Sequence, residues 1–194
     1  QALGETVGTI ELQINGAVSD TLQVLFNMPE PKADPALVDD FEYYYGDNGL
    51  LQAAYSTNCG AGCSVVPSLA AQKVQGTSGL AFTYKLNKGG YAGIIKSLQG
   101  IDWSGYQGIQ FWITPDGKGQ KLILQLNSNG EDFEVDLTSV AKQTKPQLVR
   151  VPFTQFKGKN HGTFDPAHVQ HLAIYCNAVG DQPIASVMYF DAIQ

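Results

Sequence analysis

A chain of 194 residues with a net charge of −6, of which 43% of residues are hydrophobic and 15% charged, can bury a core of its own and is too apolar to stay disordered. Its few basic residues are scattered singles such as Lys157 and Lys159, which argues against a phosphate backbone as partner and excludes nucleic-acid binding as a working expectation. No apolar run approaches the roughly 20 residues of a membrane helix, and the N-terminus lacks the basic and apolar regions of a signal peptide, so the expectation is a soluble chain whose export signal was removed or lay upstream.

The chain opens on alternation. Ile10, Leu12 and Ile14 share one face, Asn15-Gly16 signals a tight turn, and Leu22, Val24, Phe26 and Met28 continue the pattern on a return strand, which predicts a β-hairpin. Pro29, Pro31 and Pro35 follow within seven residues, a composition that blocks strand pairing and reads as a linker. Residues 1–35 are therefore a hairpin and Pro-rich linker, either the tail of an upstream immunoglobulin-like module or a lid on the main domain, and 36–194 form the principal domain.

Beyond the linker, short apolar runs alternate with Gly, Asn, Asp and Pro, and helical period is nearly absent. A strand is expected from near Val38. Leu80, Phe82, Tyr84 and Leu86 alternate with Ala81, Thr83 and Lys85, and Ile109, Phe111 and Ile113 alternate with Gln110 and Trp112. Further strands are predicted over 121–127, 133–137, 148–153, 171–177 and 187–193, with single helical turns at 138–141 and 153–156. This count suits an all-β fold, a two-sheet antiparallel β-sandwich of jelly-roll type.

Recognisable catalytic patterns are missing: there is no nucleophile elbow, zinc-protease helix or phosphate loop. A glycosidase needs only two facing carboxylates, so a jelly-roll hydrolase or lyase stays open as an alternative. Cys59 and Cys63 form either a short disulfide loop or two free thiols, and Cys176 reads as a buried thiol. A zinc site would need two more ligands, and His161, His168 and His171 lie far off without finger spacing.

The positive signal comes from strand parity. If Ile109, Phe111 and Ile113 face the core, Gln110 and Trp112 face outward. Leu172, Ile174 and Cys176 likewise turn Tyr175 and Asn177 out, and Leu122, Leu124 and Leu126 turn Gln125 and Asn127 out. Aromatic rings beside amides suit a sugar, which stacks its C–H face on a ring while its hydroxyls take hydrogen bonds from amides. The other reading of Trp112 is a ring covered by a loop or by the hairpin. Trp103 reads as a structural plug. Tyr91 sits among glycines that leave its ring accessible, and at least one of Tyr43, Tyr44 and Tyr45 should be exposed, with Tyr44 counted among the binding residues. Acidic groups gather at the two ends of the domain, Asp39, Asp40 and Glu42 at one and Asp191 at the other. Termini of such a fold lie close, so these carboxylates form either a calcium site completed by a turn at 75–78 or a solvated charged edge.

The ordered set Asp39-Asp40-Phe41-Glu42, Gly76-Thr77-Ser78-Gly79-Leu80, Gly90-Tyr91-Ala92-Gly93, Asp102-Trp103-Ser104, Phe111-Trp112-Ile113, Val151-Pro152-Phe153-Thr154-Gln155-Phe156 and Tyr189-Phe190-Asp191-Ala192-Ile193 resembles carbohydrate-binding modules of family 11, and around Tyr91 and Trp112 the modules of families 23 and 27 from bacterial β-mannanases. The resemblance spans about residues 38 to 193. It implies a concave binding face without catalysis, to which Tyr91 and Tyr175 match, and a structural calcium whose ligands match Glu42, Asp191 and the backbone of Thr77, with Asp40 beside them. Trp112 and the Cys59/Cys63 pair depart from the family 11 pattern. The expected function is a secreted, extracellular module that binds soluble β-mannan, or alternatively a β-1,4 or mixed-linkage β-glucan, and targets a covalently linked hydrolase such as a β-mannanase to its substrate.

Overall fold

In a computed structural model, residues 4–28 and 36–194 are described, with side chains in the first segment described for 11–18. The chain divides into two compact units, Gln1–Asp34 and Pro35–Gln194. The Pro-rich stretch expected as a linker, and the side chains of Ile10, Leu22, Val24, Phe26 and Met28, lie outside the described residues.

The first unit is a hairpin of β1 (Gly4–Ile14) and β2 (Ala17–Met28). Asn15 and Gly16 both take positive φ, 52° and 80°, which is what a two-residue turn of primed type requires and what an Asn-Gly pair supplies at least steric cost.

The second unit contains the remaining elements. In chain order they are α1 (Asn48–Ala54), β3 (Ser56–Cys59), β4 (Ser64–Ala70), β5 (Gly79–Leu86), β6 (Tyr91–Ile101), β7 (Gly108–Thr114), β8 (Lys121–Ser128), β9 (Glu131–Asp136), α2 (Thr138–Ala141), β10 (Gln147–Pro152), β11 (Lys157–Gly158), β12 (Val169–Asn177) and β13 (Ile184–Asp191). They form a five-stranded sheet in the order β10-β7-β13-β5-β4 and a six-stranded sheet in the order β11-β9-β8-β12-β6-β3. Pairing is antiparallel throughout, and the fold is an all-β sandwich of jelly-roll type.

The core lies between the sheets. Phe82, Tyr84, Phe111, Met188 and Phe190 come from the five-stranded sheet, and Ile94, Leu122, Leu124, Leu126, Ile174 and Cys176 from the other. Phe190 meets Phe82 edge-on at 6.1 Å and Phe111 at 5.9 Å. Each such side chain contributes about 1.5–3 kcal/mol by leaving water. Trp103 is buried and stacks on Phe153 with ring planes 12° apart, a plug at one end of the sandwich.

Several local features differ from the sequence reading, which placed no strand at β3, β4 or β11. The strand expected near Val38 is a single bridge, Asp39 to Ile193, which ties the start of the domain to its end. The helix α1, capped by Asp47 accepting from the Gly49 and Leu50 N–H groups, shows no helical period because only Leu51 is buried. Strand β6 was unrecognised because Gly93, Lys96 and Gly100 interrupt its alternation, yet it is held on both sides, by β12 and β3.

Candidate functional site

The six-stranded sheet turns its outer face into a shallow trough, and its cross-strand register defines what lines it. One row runs Asn58, Gly93, Tyr175, Ile123, Asp136 across β3, β6, β12, β8 and β9. The next runs Ser56, Ile95, Ala173, Gln125, Glu134, Lys157, and a third brings His171, Asn127 and Asp132 side by side. Tyr91 pairs with Asn177 at the opposite end of the same face. Asn58, Tyr91, Ile123, Gln125, Asp132, Glu134, Tyr175, Asn177 and Lys159 line a hollow of about 290 Å3.

Two rings form one wall. Tyr175 lies across Gly93, where an added Cβ would come 2.2 Å from its ring. Its hydroxyl accepts from Asn58 Nδ2 at 3.0 Å. Tyr91 stands 6.3 Å away at 60°, its ring backed by Gly60 and its hydroxyl 3.5 Å from Asn58 Oδ1, to which it donates. Tyr91 is 39% exposed, so an apolar surface remains open to solvent beside polar atoms.

The rest of the hollow is rich in acceptors. Gln125 Nε2 donates to Glu134 Oε1 at 2.8 Å and Asn127 Nδ2 to Asp132 Oδ1 at 2.7 Å, which fixes both amides with their donors turned toward carboxylates. Lys159 Nζ closes the pair, 2.9 Å from Glu134 and 3.6 Å from Asp132. Hydrogen bonding to Glu134 raises the Lys159 pKa. Burial lowers the pKa of His171, and the Asp132 carboxylate, 3.8 Å away, opposes that shift. Such a surface offers oxygen atoms to hydroxyl groups and repels anions.

Of the residues expected to bind sugar, Tyr91, Tyr175, Gln125 and Asn177 meet in this hollow, and Asn127 lies one row along on the same face. Gln110 and Trp112 do not join them. They belong to β7 in the five-stranded sheet, on the opposite side of the sandwich, where Trp112 is half-buried beside Gln72, Lys73, Val74 and Pro146. Parity places a side chain on the outside of its own sheet, whereas sheet membership depends on distant pairing. Tyr44 is also elsewhere: its hydroxyl donates to Asp39 at 2.6 Å in a network shared with Tyr55 and Lys96. Burial, then the Asp39 charge, raises the Tyr44 pKa above the ordinary phenol value. Asn58, Asp132, Glu134 and Lys159 were missed. Alternation of Asp132 and Glu134 with Phe133 and Val135 was readable, but β3 and β11 are too short to show a pattern.

The residues assigned to calcium gather on one loop. Glu42 accepts from the Thr77 and Ser78 N–H groups through Oε1 and from the Thr77 hydroxyl through Oε2. Burial works against ionisation of Glu42, but those donors and Lys73 outweigh it and lower its pKa. Asp191 grips the same loop through the N–H groups of Val74 and Gln75. These hard oxygen donors fit calcium in kind. Asp40 instead turns back to accept the Glu42 N–H, and the Thr77 carbonyl takes the Lys73 ammonium at 2.9 Å. Among the described residues, no group of three or more His, Cys, Asp or Glu side chains is arranged so that it could hold a metal ion. Cys59, Cys63 and Cys176 are free thiols, and burial pushes Cys176 up to about 12.

Comparison with known proteins fits this geometry. Residues 26–169 match the family model described as carbohydrate binding domain (family 11). A mannan endo-1,4-beta-mannosidase of Bifidobacterium adolescentis is 33% identical over 106 residues, 54% of this chain, which spans about 10% of that relative's length. The family 11 carbohydrate-binding module of Clostridium thermocellum, solved with a beta-1,3-1,4-mixed-linked tetrasaccharide, superposes with a TM-score of 0.63 at 19% identity, over 81% of this chain and 92% of that one. An exo-beta-agarase shares the fold at a TM-score of 0.57 and 13% identity, over 82% of this chain and 25% of that one. The family model covers most of the chain, and the chain belongs to family 11 of the carbohydrate-binding domains.

Proposed function

We propose that the outer face of the six-stranded sheet binds a single soluble chain of β-linked mannan and holds a linked glycoside hydrolase near its substrate. The observation that carries this is the pairing of the Tyr91 and Tyr175 rings with an acceptor-rich floor of Gln125, Asp132 and Glu134. Rings offer stacking to the C–H faces of pyranose units, and the floor accepts hydrogen bonds from their hydroxyls. The identity shared with a mannosidase favours mannan and a tethered catalytic partner, whose effective substrate concentration the tether would raise. A polysaccharide is met outside the cell, so the reading carries an extracellular location with it.

A β-glucan is the second reading, favoured by the mixed-linkage tetrasaccharide in the Clostridium module. Hydrolysis is disfavoured by geometry: Asp132 and Glu134 rise from one strand on the same floor and both pair with Lys159, so they do not flank a glycosidic bond from two sides. Calorimetry with mannohexaose and cellohexaose tests the proposal. Heat from mannohexaose supports it, heat from cellohexaose alone selects the glucan reading, and heat from neither rejects both. Reducing-sugar release from mannan would restore the hydrolase.

We also propose a structural calcium held by Glu42 and Asp191 with the Thr77 carbonyl. What supports it is the convergence of carboxylates from both ends of the domain on one loop. Bound there, the ion would fasten the domain's two termini to that loop.

A further inference from the structure

The hollow that holds Tyr91 and Tyr175 opens into a second one. This neighbour, about 660 Å3 in volume, extends over the edge strand β11 and is lined on its far side by Lys121, Asp136, Thr154, Gln155 and Lys157. Ile123, Glu134 and Lys159 line both hollows. Lys159 stands at the divide, its backbone N–H bonded to the Asp132 carbonyl at 3.0 Å and its ammonium on Glu134. Strand spacing sets the scale. Three spacings separate β12, which carries Tyr175, from β11, roughly 14 Å, and five separate β3 from β11, roughly 24 Å. The trough runs across the strands for longer than a disaccharide needs.

We infer that the saccharide site continues past Lys159 into this second hollow, which takes the following sugar units of the same chain by hydrogen bonding alone. The inference rests on the reading of this face as a saccharide site. The two hollows differ in chemistry. The first presents two tyrosine rings, whereas the lining of the second contains no ring and offers a hydroxyl, an amide and charged heads that are already near partners, such as Lys121 and Asp136 at 4.0 Å. Stacking therefore anchors one end of the oligosaccharide, and the far end is read through its hydroxyls. Lys159 joins the two: its one ammonium is shared by Glu134 and Asp132, so a chain crossing the divide meets carboxylate oxygens as acceptors with part of their charge compensated.

Chain length is the readout. Gln155 and Lys157 are exposed, so a Gln155→Ala, Lys157→Ala double variant should fold and melt as the parent does. Calorimetry would compare mannotriose with mannohexaose, and cellotriose with cellohexaose, on both proteins. Loss of two hydrogen bonds should weaken hexasaccharide binding about fivefold to tenfold while the trisaccharide, seated on the rings, changes less than about twofold. Unchanged hexasaccharide affinity, or equal loss at both lengths, would overturn the second hollow and leave the first standing. If the parent protein binds no hexasaccharide, the underlying reading of the face falls as well. Lys159→Gln should likewise weaken the hexasaccharide more than the trisaccharide, and an equal effect on both counts against Lys159 as the divide.

Discussion

The ring of Tyr175 lies across Gly93, on the neighbouring strand, and occupies the space that any Cβ at position 93 would need. Gly93→Ala should push that ring away from its seat and from Asn58. Overpacking of this kind costs roughly 1–3 kcal/mol of stability. Sugar affinity should drop by about tenfold through the lost stacking partner. Calorimetry and a thermal melt measure the two effects separately, and full sugar affinity in a folded Gly93→Ala protein would show that the ring is not a contact.

Asp39 is nearly buried and collects Lys96, Tyr44, Tyr55 and its own Phe41 N–H. Removing the cation leaves an uncompensated charge in the interior, so Lys96→Met should lower stability by about 3 kcal/mol. Tyr44→Phe removes one hydrogen bond and should cost about 1 kcal/mol. Because Tyr44 points into this network, the second change should leave sugar affinity intact. Urea unfolding and calorimetry on the two variants give the comparison.

Trp112 stands on the five-stranded sheet. Trp112→Ala should therefore keep parental affinity for hexasaccharides while losing stability, because it enlarges the small hollow that Trp112 lines with Val74 and Pro146. A weakened sugar complex in the folded variant would place a contact on the wrong side of the sandwich for the proposal.

His171 has a depressed pKa, so protonation is harder in the folded chain than in the unfolded one. Its contribution is complete above the ordinary value of 6.5, and stability falls as pH drops below that value, because the unfolded chain then takes up the proton more readily. The loss stops growing once the folded pKa is passed. Glu42 acts at lower pH with its own sign: its carboxylate stabilises above the ordinary 4.5, and that gain disappears as acid protonates it. A His171→Gln variant should show a flatter dependence of melting temperature on pH just below 6.5. An unchanged slope would remove His171 as its source.

Calcium should raise the melting temperature, and a chelator should reverse the gain. Since the Lys73 ammonium sits on the Thr77 carbonyl, an ion using that oxygen must displace it. Lys73→Ala should then bind calcium more tightly than the parent in a direct titration. Equal melting temperatures with and without chelator would reject the ion.

The alternation of Leu122, Leu124 and Leu126 with Gln125 and Asn127, and of Ile174 and Cys176 with Tyr175, was enough to name side chains that point away from the core, because side-chain direction along a strand is a local property. The same rule applied to Phe111 and Trp112 was equally right about direction. It could not tell that β7 pairs with β10 and β13 while β8 and β12 pair with each other, since those partners are far apart in the chain. Nor could it find Asn58, on the four-residue strand β3, or Lys159, which lies just past the two-residue strand β11. A strand's own residues determine which side chains leave the core; long-range pairing between strands decided which of them share a face, and so which rings and carboxylates form one site.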